Sequence, residues 1–175
     1  MIGLLRELCA SGKKAGIYTD EQEPSRFIYG KVLAVDENWV VLQLASPDGA
    51  YDGVVVMDTG CVFRIETDGK YGRRMEKLCS DGSFPDFCEK IDGENIMLSV
   101  LKIAKDRRTL VSFELCQSGY DDITGFVETA DEGKCRIRQF TCDGEADGVS
   151  AVSLEDISQI SFEGEDERRI MRLMA

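Results

Sequence analysis

The chain has 175 residues, 21 of them Lys or Arg and 33 Asp or Glu, giving a formal net charge of −12 with seven cysteines and no histidine. That length suits one ordinary domain or two small ones, and the missing histidine removes the commonest metal ligand together with the commonest acid–base side chain. The acidic balance argues against loose attraction to nucleic acid or anionic lipid, and no apolar run approaches the roughly 20 residues of a membrane helix.

Met1, Leu4, Leu5 and Leu8 fall at the i, i+3, i+4, i+7 spacing of one helical face. Arg6 and Glu7 interrupt this apolar start too early for a signal-peptide core, so a cytoplasmic chain is expected. Five segments with strand character follow, near 14–20, 27–36, 38–46, 53–58 and 61–67. Asp36-Glu37-Asn38 signals a tight turn, and Pro47-Asp48-Gly49 marks the next reversal. Arg73–Leu78 predicts a short closing helix, after which the turn-rich Ser80-Asp81-Gly82-Ser83-Phe84-Pro85-Asp86 leads towards Gly93.

The same order then recurs. Met97, Val100, Leu101 and Ala104 repeat the helical spacing, and strands are predicted near 108–116, 122–130, 134–141, 147–152 and 157–163. Asp131-Glu132-Gly133 and Asp143-Gly144 supply the turns, Ser153–Asp156 a single helical turn, and Arg168–Leu173 a last short helix. Slid by 95 residues, 30–78 lies on 125–173 without a gap, and 14 of the 49 positions are identical. Chance would give roughly three. Turn residues match turn residues (Asp36-Glu37 with Asp131-Glu132, Asp48-Gly49 with Asp143-Gly144), so the chain is a duplication. Residues 1–78 form the first repeat, 79–92 a linker and 93–175 the second repeat. The net charge is −2 over 1–80, −3 over 81–92 and −7 over 93–175, which suggests different surface roles for the two copies.

A helix followed by five short strands, with a glycine in the second, is carried here by Gly30–Asp36, Val40–Leu44 and Val54–Ile65. The second copy carries it in Gly125–Asp131 and Val149–Ile160. Each repeat thereby resembles an Sm-like (LSm/Hfq-type) domain, a small SH3-like barrel, and the resemblance spans nearly the whole chain twice. It implies a mainly β fold with short helices: two tandem five-stranded small barrels, each preceded by an N-terminal helix. In that family the glycine lets one strand bend sharply enough to serve both halves of a tiny barrel, the role implied for Gly30 and Gly125. Members that bind uridine-rich RNA carry Asp with Asn four residues on, then Arg-Gly or Lys-His before the last strand. Here Asp36 is followed by Val40 and Asp131 by Cys135, and the later positions read Thr59-Gly60 and Glu155-Asp156. The family's RNA pocket is therefore not recognisable in either repeat.

Alternation along the third strand puts Val40, Leu42 and Leu44 on one face and Trp39, Val41 and Gln43 on the other. If the first set points inward, Trp39 and Val41 form an apolar outer face, either covered within the protein or a site for a protein partner. In the second copy that outer face becomes Lys134, Arg136 and Arg138, about 7 Å apart along one side. Such a stripe can touch phosphates, or pair with Glu128, Asp131 or Glu132 across its own hairpin.

Catalysis has little support, since no phosphate-binding glycine loop is present and a Cys or Ser nucleophile would lack histidine as its base. The cysteines, at 9, 61, 79, 88, 116, 135 and 142, form no C-x-x-C pair and read as free thiols in a reducing compartment. No metal and no cofactor is expected. The acidic clusters Asp121-Asp122 and Asp143/Glu145/Asp147 lack calcium-loop spacing. The expectation is a non-catalytic interaction or assembly module with a protein partner or self-association, no membrane and no small-molecule substrate. The alternative is a single-stranded RNA binder using Lys134, Arg136 and Arg138.

Overall fold

Two stretches with one apolar side and seven-residue reach set the architecture, because each becomes the helix that opens a compact unit. The computed structural model describes every residue except 80–83, 86 and 88, and the chain divides into Met1–Gly93 and Glu94–Ala175. The first unit runs α1 (Ile2–Ser11), β1 (Lys14–Tyr18), β2 (Ile28–Val35), β3 (Trp39–Ala45), β4 (Tyr51–Asp58), β5 (Arg64–Glu66) and α2 (Lys70–Leu78). The second runs α3 (Ile96–Arg107), β6 (Val111–Leu115), β7 (Ile123–Ala130), β8 (Lys134–Phe140), β9 (Ala146–Ser153), β10 (Ile157–Phe162) and α4 (Glu165–Met174). A single 3-10 turn precedes the last strand of each unit, Thr59–Cys61 and Leu154–Asp156. The protein is mainly β with short helices. Among the described residues no helix is long and apolar enough to cross a membrane.

Within the first unit the strands lie in the order β5-β1-β2-β3-β4, and within the second in the order β10-β6-β7-β8-β9. All these pairings are antiparallel, and the registers superimpose. Gly30 faces Leu44 on β3 and Gly125 faces Gln139 on β8, each shifted by 95 residues. The ladder slips between Val32 and Ala34 in one unit and between Val127 and Thr129 in the other. The turns match as well. The Asp36 carboxylate accepts from the Asn38 and Trp39 amides at 2.8 and 2.6 Å, and that of Asp131 from the Gly133 and Lys134 amides, both at 3.0 Å. Such side-chain turns are why aspartate recurs at this place in both repeats.

Sequence alternation is translated into packing in the first unit. Val40 and Leu42 face Leu5 and Leu8 of α1, with Ile17, Val32, Val55 and Met57 completing the cluster. In the second unit Cys135 and Ile137, which stand at the places of Val40 and Leu42, are fully buried, as are Leu101 and Phe113. Ala104 replaces Leu8 while Phe113 replaces Ile17, so volume lost at one position is returned at another, the kind of exchange cores tolerate. The closing helices differ more. Met75 of α2 packs with Tyr29, Phe27 and Tyr71, whereas α4 is fastened by buried Glu167, which accepts from Ser112 Oγ at 2.6 Å, Ser161 Oγ at 3.0 Å and the Gly164 amide at 2.9 Å.

Element boundaries shift where a side chain intervenes. The strand expected over 61–67 shortens to Arg64–Glu66 because Thr59–Cys61 coils into a turn, with the Asp58 carboxylate accepting from the Gly60 amide at 2.7 Å. The strand expected from 108 starts at Val111, since α3 runs to Arg107 and Arg108 caps it. Part of the expected linker belongs to the first unit's packing. Pro85 accepts a 2.8 Å hydrogen bond from the buried Gln43 amide group, and the Phe84 ring lies 6.0 Å from that of Tyr51. Ser80–Ser83, Asp86 and Cys88 lie outside the described residues.

A Cβ on Gly30 would strike the Gln43 carbonyl oxygen, and one on Gly125 the Arg138 carbonyl oxygen, well inside contact distance in both cases. Gly30→Val and Gly125→Val are each expected to destabilise the protein by about 1–3 kcal/mol, the usual cost of overpacking. Thermal and denaturant unfolding measure this, and curves unchanged by both substitutions would remove the close approach as a constraint.

Candidate functional site

The two sheet faces picked out by alternation meet opposite fates. On β3, Val41 is completely buried, Gln43 is buried beneath the Phe84–Pro85 segment, and Trp39 is half-buried. This outer face is therefore covered, and Val41 offers no surface to an added partner. On β8, Cys135 and Ile137 take the inward positions, leaving Lys134, Arg136 and Arg138 exposed on the other side.

The bulge in β7 decides what the arginines meet. Between Val127 and Thr129 one extra residue, Glu128, is set out of the ladder beside β8. Its carboxylate receives Arg138 Nε and Nη2 on one oxygen at 2.9 and 2.7 Å, and Arg136 Nε on the other at 3.1 Å. The Arg138 hydrogen bonds above all, with the two neighbouring positive charges, hold the Glu128 carboxyl below the usual glutamate range. Lys134 is placed differently: its backbone amide closes the Asp131 turn. The two arginine side chains remain 59% and 61% exposed while Glu128 is 25% exposed. The hairpin thus neutralises part of its basic stripe and still presents guanidinium groups to solvent.

The last strand of the second unit adds a feature that face-sorting does not reveal. β9 ends the strand order and, within its unit, pairs with β8 alone. Residues Ala146–Val149 are exposed in succession, with Val149 at 48%. Exposed Asp143, Glu145 and Asp147 surround its start. An edge of this length carries a row of backbone donors and acceptors able to take another strand. Its sequence signal is the weak alternation of Ala146–Ser153, small residues where a two-sided buried strand would be bulky.

Burial pushes the thiols of Cys9 and Cys79 up, and that of Cys135 to about 11. Among the described residues Cys61, Cys116 and Cys142 are exposed, and no group of three or more Cys, Asp or Glu is placed to hold a metal ion.

Comparison with protein-family models, with curated proteins and with solved structures finds no match to this chain.

Two outcomes test this geometry. Because the folded-state pKa of Glu128 is depressed, its ion pairs add stability above the ordinary glutamate range and lose it as pH falls through the folded midpoint. Arg138→Ala should raise that midpoint towards the ordinary value in an NMR titration of the carboxyl; an unmoved midpoint would mean the pair does not form in solution. In the native protein, a thiol reagent followed by peptide mass spectrometry should label Cys61, Cys116 and Cys142 well before Cys9, Cys79 and Cys135. Early labelling of Cys135 would contradict its buried position.

Proposed function

We propose that the chain is a non-catalytic, cytoplasmic interaction module of two fused Sm-like small barrels, and that it binds a protein partner by accepting an extended segment along β9. The barrel reading is supported by the recurring order of helix, four strands, helical turn and fifth strand, with the fifth strand beside the first. The glycine contacts at Gly30 and Gly125 support it too, since a strand pressed that closely on its neighbour can bend across both halves of a small barrel. Free thiols suit a reducing compartment.

The observation that carries the function is the exposed, acid-flanked edge of β9. Strand addition supplies affinity through main-chain hydrogen bonds and specificity through alternate side chains. Charge complementarity with Asp143, Glu145 and Asp147 favours a basic segment, and exposed Val149 favours an apolar residue opposite it. The test is hydrogen exchange on the full chain with and without the partner that co-purifies from the native cell. Amides of 146–153 should gain protection on binding, and protection confined to other strands would overturn the strand-addition reading.

A second reading, single-stranded RNA on Lys134, Arg136 and Arg138, is favoured by the aromatic pair on the same hairpin, Phe126 and Phe140, edge to face at 5.5 Å. Bases stack on such rings while arginines meet phosphates. Filter binding of short RNAs should then weaken steeply between low and moderate salt, and no retention at low salt removes this reading.

A further inference from the structure

The end of α3 and the β7–β8 hairpin enclose an open cleft of about 570 Å3 in the second unit, within the size range of small-molecule sites. Its floor is apolar, made by Ala104, Phe126 and Val127. Its rim carries three cations, Lys105, Arg108 and Arg138, against one acid, Glu128. Phe126 stands opposite Arg138 in the β7–β8 ladder, and its ring is braced by the edge-on contact with Phe140. Arg138 is in turn aimed by its double hydrogen bond to Glu128. The cleft therefore has a fixed flat apolar wall beside a fixed guanidinium.

The cap of α3 supplies an independent observation. Arg108 occupies the left-handed region at φ 53, ψ 43, with its amide closing on the Ala104 and Lys105 carbonyls. The corresponding cap of α1 is Gly12, at φ 67. The first unit displays the unstrained solution to this cap, and the second holds an arginine there despite the steric cost of a Cβ. The duplication also shows that the cleft's lining belongs to one copy. Cys9, Gly12, Lys31 and Gln43 stand where the second unit has Lys105, Arg108, Phe126 and Arg138. In the first unit the Lys31 side chain reaches over Gly12, its Cε 3.5 Å from where a Cβ there would sit.

We propose that this cleft binds a nucleoside monophosphate. The base lies on the Phe126–Val127 floor, the phosphate is received by Lys105 and Arg108, and base N–H groups face the Glu128 carboxylate. The carbonyl end of α3 opposes an anion, so at least two rim cations are required, and capping of those carbonyls by the Arg108 amide lessens the opposition. This site is separate from the β9 edge, and its failure leaves the strand-addition reading intact.

Isothermal titration of the full chain with uridine and adenosine monophosphates tests it, with the nucleosides and inorganic phosphate as separate arms. Saturable binding to one site is expected for a monophosphate, at least about tenfold tighter than either part alone. Arg108→Gly removes the cation and relieves the cap, so it should melt at the same or a higher temperature and still bind about tenfold more weakly, the scale of one charge-assisted hydrogen bond. Phe126→Leu keeps the floor apolar without a ring to stack on and should also weaken binding. No saturable heat at millimolar monophosphate, phosphate binding as tightly as the nucleotide, or unchanged affinity in Arg108→Gly would each overturn the proposal.

Discussion

The close approach of β2 to β3 at Gly30, and of β7 to β8 at Gly125, is the constraint on which each unit is built. At both places a neighbouring carbonyl occupies the space of a side chain, so no other residue type fits without moving the ladder. A strand has a period of two, and one step of slippage would exchange its inner and outer faces. Pinning Gly30 opposite Leu44 and Gly125 opposite Gln139 therefore decides which residues reach the core. Val40 and Leu42 turn inward in one unit, Cys135 and Ile137 in the other. The bulge that follows the glycine then re-aims a single residue, Leu33 or Glu128, and there the two copies part company.

That parting is chemical and takes place on matching strand registers. The first unit uses its outer positions for burial: Gln43 meets Pro85, and Val41 has no exposed surface. At the equivalent places the second unit has arginines clamped by Glu128 and open to water. Its closing helix is held by a hydrogen-bonded glutamate where the first relies on Met75 and three aromatic rings. A duplicated fold can diverge in this way because its registers and turns depend on few residues, chiefly the bend glycine and the turn aspartate, while the outer faces are free to change.

The duplication is also why so much of the fold was legible. A strand predicted from alternation in one repeat is checked by the other, and Asp36 and Asp131 fix the shared turn without any knowledge of the core. What stayed hidden depended on contacts distant in sequence. Val41 reads as outward and apolar, which already suggests a covered face, but nothing local says what covers it. Lys134, Arg136 and Arg138 are visible as a stripe with Glu128, Asp131 and Glu132 as acids within reach, but the bulge that selects Glu128 as the partner of Arg136 and Arg138 is not foreseen by alternation. The cleft has no local signature, because Lys105, Arg108 and Phe126 come from a helix end and a strand that folding brings together. Its one trace in the sequence is Arg108 where the first repeat has Gly12, and it emerges only when the helices are aligned with a slip of one residue.

Charge then limits what such a surface can hold. The second unit carries −7 overall, with exposed acids around the start of β9 and six of its ten cations on the β7–β8 hairpin and the end of α3. At physiological salt, fields are screened over about 8 Å, so a ligand smaller than the patch feels the local cations, whereas a long polyanion also meets the surrounding acids. The same distribution draws a basic strand to the β9 edge. One unit can thus favour a small anion at the cleft and a cationic segment at the edge, because the two surfaces carry opposite charge and belong to different strands.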